Sequence, residues 1–229
     1  MEQDKLTTGI ALANGEPIIL NESASTAWVD GNNLLGPVVG MFCMELAIKK
    51  AKQPIILNES ASTAWVDGNN LLGPVVGMFC MELAIKKAKQ VGIGFVTVKG
   101  SNHYGIAGYY SLMALEHNLL GMSFTNATPI VVATRAQNPS IGTNPISLAA
   151  PGLNGDSFVL DMATTAVAKG KLEIADRKHE QITEGWAIDQ SGRPLKHFSN
   201  FHALLPLGGE ENSSGYKGYG LSMMTEIFC

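Results

Sequence analysis

The sequence predicts a mixed α/β fold, of the α/β or α+β class, in which helices flank a mixed, largely antiparallel sheet. Short runs rich in Val, Ile, Thr and Phe recur between loops of Gly, Pro and Asn, as strands do. Three longer segments have the length and apolar pattern of helices. The chain of 229 residues is 45% hydrophobic and 16% charged, so it can bury a sizeable core.

Charge and cysteine usage argue against several classes of protein. The formal net charge is −4 and no block of like charge exists, whereas proteins that bind nucleic acid carry a basic face. The three cysteines form no CxxC pair, which is typical of a reducing compartment. Residues 71–85, the longest apolar run, are interrupted and too short to span a membrane. We therefore expect a cytoplasmic protein without nucleic-acid or membrane partners.

A 37-residue segment occurs twice in tandem. Residues Pro17–Gln53 and Pro54–Gln90 are identical at every position. Stacked repeat proteins usually diverge and need about three units to bury a continuous core. Two identical copies therefore indicate a duplicated segment.

Each copy has the pattern of two strands followed by a helix. In the second copy, Pro54–Leu57 and Ser62–Val66 have strand character, and the turn residues 67–70 follow them. Gly73-Pro74 marks the start of a helix that is apolar over most of its circumference, so we expect a core helix. The lysines near its C-terminus suit the helix dipole and are expected in solvent: Lys86, Lys87 and Lys89.

The second copy is expected to occupy the folded core. Its helix runs directly into a predicted buried strand, Val91–Val98, whereas the first copy's helix, Pro37–Gln53, runs into Pro54 and a new strand. Closing a loop with 37 extra residues costs on the order of 1–2 kcal/mol, so covalent adjacency decides between the copies. The first helix is then displaced, with apolar residues exposed: Val39, Phe42, Cys43 and Leu46.

Strands and helices are predicted to continue after the repeat. A helix is predicted for about Ile106–His117, stopped by Asn118, and another for Tyr219–Cys229. The further strand candidates lie between Gly, Pro and Asn loops: Leu119–Thr125, Ile130–Thr134, Pro145–Ala149, Ser157–Met162 and Trp186–Asp189.

His103 is the candidate for proton transfer. It lies in the loop Lys99–Gly105 between a predicted strand and a predicted helix. Such loops place side chains at the edge of a sheet, where α/β sites gather, and histidine exchanges protons near neutral pH. A lone loop histidine more often has a structural role, so the spacing alone leaves both roles open.

No metal or nucleotide motif is complete. Without HxH, HExxH or CxxC spacing, no metal site is expected. Gly92-Ile-Gly94 lacks the third glycine of a Rossmann fingerprint, since Thr97 stands in that position. Two candidate loops remain: Gly142–Pro145 offers backbone amides to an anion, and Asp161–Thr164 offers a carboxylate suited to ribose hydroxyls. Each loop alone is also compatible with a structural role.

Seven motifs lie in order along the chain: GSNHYGIAGYY (100–110), TNATP (125–129), GTNPIS (142–147), FVLDMATT (158–165), EGWAID (184–189), LLPLGG (204–209) and GYKGYGL (215–221). Together they resemble the malate/L-lactate dehydrogenase family, whose cofactor-binding core is not a Rossmann fold. The resemblance runs from about Leu6 to Cys229, apart from the extra repeat copy.

The resemblance implies a homodimeric oxidoreductase that transfers a hydride between NAD(H) or NADP(H) and a 2-oxo or 2-hydroxy acid, with oxaloacetate and malate as the foremost pair. It implies a partial N-terminal region at residues 1–53, holding the first copy, and a catalytic, NAD(P)-binding core at residues 54–229, truncated at the C-terminus. His103 matches the family's proton donor and acceptor. The matches to cofactor-binding positions are Thr143, Asn144, Pro145, Asp161, Met162, Ala163 and Lys217.

Two departures from the family pattern keep a second hypothesis open. The family's Ser-His-Gly motif and the nearby Arg that holds the substrate carboxylate have no match, and the chain ends before the family's C-terminal segment. Because clamping the carboxylate orients the substrate for reaction, the sequence predicts an interior fragment of very low activity. The alternative is a catalytically inactive cofactor-binding or subunit-interaction protein on the same scaffold.

Overall fold

The computed structural model describes residues 53–229, and the predicted mixed α/β class is confirmed there. The strand pairings are largely antiparallel, as predicted, but they are divided among three small sheets. In residues 53–229, no helix has the length and hydrophobicity needed to cross a bilayer. In chain order the elements are β1 (Ile55–Glu59), β2 (Thr63–Asp67), α1 (Gly73–Val91), β3 (Phe95–Lys99), α2 (Ala107–Leu115), β4 (Gly121–Phe124), β5 (Val131–Val132), β6 (Pro139–Ile141), β7 (Ile146–Pro151), β8 (Ser157–Met162), α3 (Lys169–Arg177), β9 (Ala187–Ile188), β10 (Ala203–Leu204) and α4 (Gly215–Phe228).

The first sheet combines the second repeat copy with the strand that follows it. β1 pairs antiparallel with β2, and β2 pairs parallel with β3. Parallel neighbours need a long crossover connection, and α1 provides it. The second copy thus folds against its adjoining strand, as expected. The first copy, with its helix Pro37–Gln53, lies outside the described residues, so its displacement stays a prediction.

The turn and helix start predicted within the repeat are confirmed. Asp67 Oδ1 accepts the N–H of Asn69 at 2.8 Å, which closes the turn after β2. Asn69 and Asn70 have φ angles of 53° and 54°, a left-handed conformation that asparagine tolerates better than most residues. Pro74 then lies in the first turn of α1, where its missing N–H costs nothing.

The end of α1 corrects the prediction of a buried strand over Val91–Val98. Gly92 has a φ of 91° and donates its N–H to Ala88 O at 2.8 Å, so the helix extends through Val91 and ends there. The strand begins only at Phe95, and its side chains are exposed or half-buried among the described residues. The expectation of a core helix holds for one part of the surface of α1 only. Its fully buried apolar side chains are Val75, Val76 and Ile85.

Lys87 is the clearest departure from the expected solvated helix end. It is only 5% exposed, and its Nζ donates to Glu59 Oε2 at 2.9 Å and to Ser60 O at 2.7 Å. The expectation was wrong for Lys87 because β1, from the same repeat copy, covers this side of the helix. Lys86 and Lys89 are exposed, as expected.

The other two sheets follow the repeat. β4, β7 and β8 form an antiparallel sheet, and β6, β5, β10 and β9 form a mixed one. The strand prediction over Ser157–Met162 matches β8, whereas β6, α3 and β10 were not predicted. β6 and β10 are too short to show a period, and α3 is mostly polar. Its few apolar residues help to fill a core made by Val131, Leu172, Leu195 and Leu204.

Replacing Lys87 by Met is expected to destabilise the protein by about 1–3 kcal/mol, because the Glu59 carboxylate and Ser60 O lose the two hydrogen bonds that the buried amino group donates. Lys50 occupies the identical position in the first copy, so Lys50→Met is the matched control and should change stability little. Urea denaturation of both variants measures the difference. Equal losses would show that the ion pair is not specific to the second copy.

The same ion pair predicts a dependence on pH. The hydrogen bond and charge of Lys87 lower the pKa of Glu59 below its ordinary value of 4.5. At this group the folded protein therefore binds fewer protons than the unfolded chain does. The contribution of the ion pair to stability is complete above the ordinary pKa of Glu and is lost as pH falls through the lowered pKa. Lys87→Met should reduce the loss of stability between pH 5 and pH 3, roughly the range in which Glu titrates.

Candidate functional site

The loop that carries His103 lies between β3 and α2 and is attached to the start of α1. Asn102 Oδ1 accepts the N–H of Gly73 at 2.8 Å, and Asn102 Nδ2 donates to Leu71 O at 3.1 Å. The side chain of His103 is exposed beside this attachment. His103 therefore lies in a strand-to-helix loop, as predicted. The backbone of this loop is attached to the start of α1.

Two stacked tyrosines support the other side of the loop. The rings of Tyr104 and Tyr110 stack with their centroids 4.6 Å apart, and Tyr110 donates its hydroxyl to Tyr104 O at 2.5 Å. The Tyr104 hydroxyl lies 3.0 Å from the Ser123 hydroxyl. Burial raises the pKa of Tyr104 to about 12 and raises the pKa of Tyr110 as well. Both phenols therefore stay protonated at neutral pH and hold the loop by hydrogen bonding and packing.

The imidazole of His103 faces solvent with one nitrogen engaged. Its Nδ1 accepts the N–H of Gly105 at 3.1 Å. In the neutral ring the proton is then on Nε2. Nε2 is the nitrogen left for a substrate. The arrangement suits a group that exchanges a proton with a bound ligand.

Asp161 connects β8 to the helix that follows His103. Its Oδ2 accepts the N–H of Gly108 in the first turn of α2 at 2.9 Å, where a carboxylate also complements the helix dipole. Gly108 is needed for this approach, since a Cβ there would lie 2.5 Å from Oδ2. Oδ1 has no hydrogen bond to any residue in 53–229, and the residue is exposed. One oxygen thus holds α2 while the other can face a ligand.

Asn144 holds the predicted cofactor loop Thr143–Pro145 in place. Its side chain is completely buried, and its φ is 32°. Oδ1 accepts the N–H of Ala127 at 3.0 Å, and Nδ2 donates to Ser222 O at 3.2 Å and to Glu226 Oε2 at 2.7 Å. Since the whole amide is used inside the protein, the role of Asn144 that the structure shows is to position this loop.

Thr164 brings the separate predicted segments together. Its N–H and its Oγ1 donate to Thr143 O at 2.9 and 3.0 Å, and its carbonyl accepts the N–H of Leu207 at 3.0 Å. Leu207 packs against α4 so closely that a Cβ on Gly218 would lie 2.1 Å from Leu207 O. Lys217, adjacent to Gly218, therefore lies on a helix that packs against Leu207, the residue bonded to Thr164.

Hydrogen bonds connect several of the predicted site residues. Thr164, which follows Ala163, donates to Thr143 O and Asn144 O, and Asp161 accepts from the helix after His103. In the part of the chain that the structure describes, no cluster of three or more His, Cys, Asp or Glu side chains could hold a metal ion. Motif analysis did not assign Asn102 and Thr164, although both lie in quoted motifs. Glu226 had no signal in the sequence, because it is 82 residues from its partner Asn144.

Comparison with known proteins places these motifs in one family. The family model described as malate/L-lactate dehydrogenase matches residues 51–229. The malate dehydrogenase of Pyrococcus abyssi is 52% identical over 213 residues, which are 91% of this chain and 48% of the relative. The malate/(S)-sulfolactate dehydrogenase of Methanothermus fervidus is 43% identical over 223 residues, 96% of this chain and 53% of the relative.

Other relatives and solved structures agree. The ureidoglycolate dehydrogenase (NAD(+)) of Escherichia coli O157:H7 is 36% identical over 138 residues, 60% of this chain and 38% of the relative. The crystal structure of malate dehydrogenase from Entamoeba histolytica has a TM-score of 0.72 and 35% identity, covering 82% of this chain and 55% of that one. The chain spans about half the length of the two dehydrogenases of highest identity named here.

Replacing Asn144 by Ala is expected to destabilise the protein by about 2–4 kcal/mol, because it leaves the Ala127 N–H and the Glu226 carboxylate without their buried partner. Asn138 is exposed in the turn before β6, so Asn138→Ala controls for the loss of an asparagine. Chemical denaturation gives both values. A loss for Asn144→Ala no larger than for the control would contradict the network.

Proposed function

The chain belongs to the malate/L-lactate dehydrogenase family, and on this basis we propose that it contributes the proton-transfer and cofactor side of an enzyme that interconverts 2-oxo and 2-hydroxy acids. The observation that best supports this proposal is the hydrogen bond of Asp161, in a proposed cofactor segment, with the helix after His103. The proposed substrate pair is oxaloacetate and malate, in keeping with the relatives named malate dehydrogenase.

The proposed cofactor is NAD or NADP, and the exposed groups have the chemistry to hold it. Asp161 has one carboxylate oxygen available for ribose hydroxyls. Lys217 is exposed and forms no ion pair with any residue in 53–229, so its ammonium group is available to a phosphate. The half-buried loop of Thr143 and Pro145 and the adjoining Met162 and Ala163 would line the same side. When bound, the nicotinamide supplies or accepts the hydride.

His103 is proposed to exchange the proton that accompanies the hydride. In reduction, the imidazolium would give its Nε2 proton to the carbonyl oxygen of the 2-oxo acid as the carbon is reduced. In oxidation, the neutral ring would take the proton from the hydroxyl group. Protonation of a developing alkoxide by a positioned group typically accelerates a reaction by about 10²–10⁴-fold. Exposure of the ring lets it recover its proton from solvent.

The arginines of this chain are not proposed to hold the substrate carboxylate. Each pairs with an acidic side chain: Arg135 makes two hydrogen bonds to Glu211, Arg177 lies 3.8 Å from Glu173, and Arg193 lies 3.3 Å from Asp189. A free guanidinium is the usual partner of a substrate carboxylate. The proposal therefore leaves the carboxylate to a group outside these three pairs.

In the full-length parent enzyme, His103→Ala is expected to lower kcat for oxaloacetate reduction by more than tenfold while leaving cofactor affinity nearly unchanged, because the imidazole moves a proton and does not hold the dinucleotide. NADH absorbance measures turnover, and NADH fluorescence titration measures binding. His117 is exposed beyond the end of α2, so His117→Ala is the control. More than a tenth of the parental kcat in His103→Ala would refute the assignment.

A homodimer is also proposed, as the family resemblance implies. Exposed apolar side chains on β8 and α4 support it, with exposed fractions of 59% for Phe158, 76% for Ile227 and 45% for Phe228. Such patches are typical of surfaces that partners cover. Light scattering after gel filtration should give the mass of two chains, and the mass of one chain at micromolar concentration would contradict the proposal.

A further inference from the structure

We propose that Asn102 is a positioning residue that sets the place of His103 by clamping its loop to the start of α1. This inference rests on the proposed role of His103. The two residues are adjacent in the chain, so the backbone that Asn102 anchors is the backbone from which the imidazole projects.

The clamp takes the place of a helix cap that α1 lacks. The N-cap residue of α1 is Leu72, whose side chain cannot accept a hydrogen bond from the first turn. Asn102 Oδ1 accepts the N–H of Gly73, which would otherwise need another partner at this helix end, and Nδ2 donates to Leu71 O on the other side of Leu72. An asparagine supplies both groups, a donor and an acceptor, in one plane.

The backbones of the loop and the helix are in direct contact at the clamp. A Cβ on Gly73 would lie 2.2 Å from His103 O and 2.4 Å from Asn102 O. The carbonyl of His103 itself therefore lies over the start of α1. Two further bonds continue the contact, from Gly68 N–H to Lys99 O and from Asn70 N–H to Gly100 O, both 2.8 Å. Because backbone contacts backbone here, a shift of the start of α1 also shifts the backbone of His103.

Every residue on the helix side of the clamp belongs to the second repeat copy. Leu71 and Gly73 have exact counterparts in the first copy, Leu34 and Gly36. A substitution in the first copy therefore has the same local sequence around it and is a control for the same substitution in the second copy. If the second copy alone holds the loop, a change at Gly73 moves His103 and the same change at Gly36 does not.

The first experiment replaces Asn102 by Ala and by Asp in the 229-residue chain labelled with ¹⁵N-histidine. His103→Ala identifies the His103 imidazole signals among those of the five histidines. Asn102→Ala should shift or split the His103 signals and leave those of the other four in place, with a smaller effect for Asn102→Asp, which retains the acceptor for Gly73. Ser101→Ala, a neighbouring change at a side chain without a hydrogen bond to residues 53–229, should leave them unchanged.

The second experiment compares Gly73→Ala with Gly36→Ala. Gly73→Ala should displace the His103 signals as Asn102→Ala does, and Gly36→Ala should not. In any form of the protein with measurable turnover, Asn102→Ala should lower kcat by about 10- to 100-fold with little change in KM, the effect of misplacing a reacting group by about 1 Å. A change of melting temperature alone is what a purely structural role would produce.

Several outcomes overturn the inference. Unchanged His103 signals in Asn102→Ala or in Gly73→Ala would show that the clamp does not position the ring, and equal effects of Gly36→Ala would show that the second copy is not its sole partner. Failure of the proposed function has a different result: His103→Ala would keep its turnover while the clamp variants still moved the His103 signals.

Discussion

The buried amide of Asn144 is the interaction on which the rest of the site depends. It joins a loop near Ala127, its own loop, and α4 at Ser222 and Glu226, and the last of these is 82 residues from Asn144 in sequence. An amide without partners inside a protein costs several kcal/mol, so these three segments must be in place together. Thr164 extends the hub by two bonds to Thr143 and one to Leu207. Of the proposed cofactor residues, Thr143 and Asn144 belong to this hydrogen-bond network.

The two helices around His103 also depend on polar side chains from other segments. The N-cap residues of α1 and α2 are Leu72 and Ile106, and neither provides a side-chain cap. Distant polar side chains satisfy the first-turn amides in their place, Asn102 for α1 and Asp161 for α2. Because helix ends leave N–H groups without internal partners, the start of each helix is joined to another segment, α1 to the His103 loop and α2 to β8. The residues that complete the helices are thereby also those that arrange the candidate site.

The duplication places two identical sequences before different residues. The ion pair of Glu59 with Lys87 lies entirely within the second copy, so either copy carries both partners. The residues that distinguish the copies follow them. Gly92 can take the left-handed conformation that ends α1, whereas the first copy is followed at once by Pro54, which has no N–H to donate. A short connection to β3 then brings the second copy to the His103 loop.

The sequence by itself determined the features that neighbouring residues decide: the Asp67 turn, the start of α1 at Gly73, the strand Ser157–Met162 and the loop that presents His103. Its ordered motifs also identified the family. Only the tertiary structure decided that Lys87 is buried, that Asn144 is a structural hub, and that Asp161 binds the first turn of α2 with one oxygen. Turns and helix starts depend on local backbone preferences, whereas the burial and hydrogen-bond partners of a polar side chain depend on segments that only the folded chain brings together.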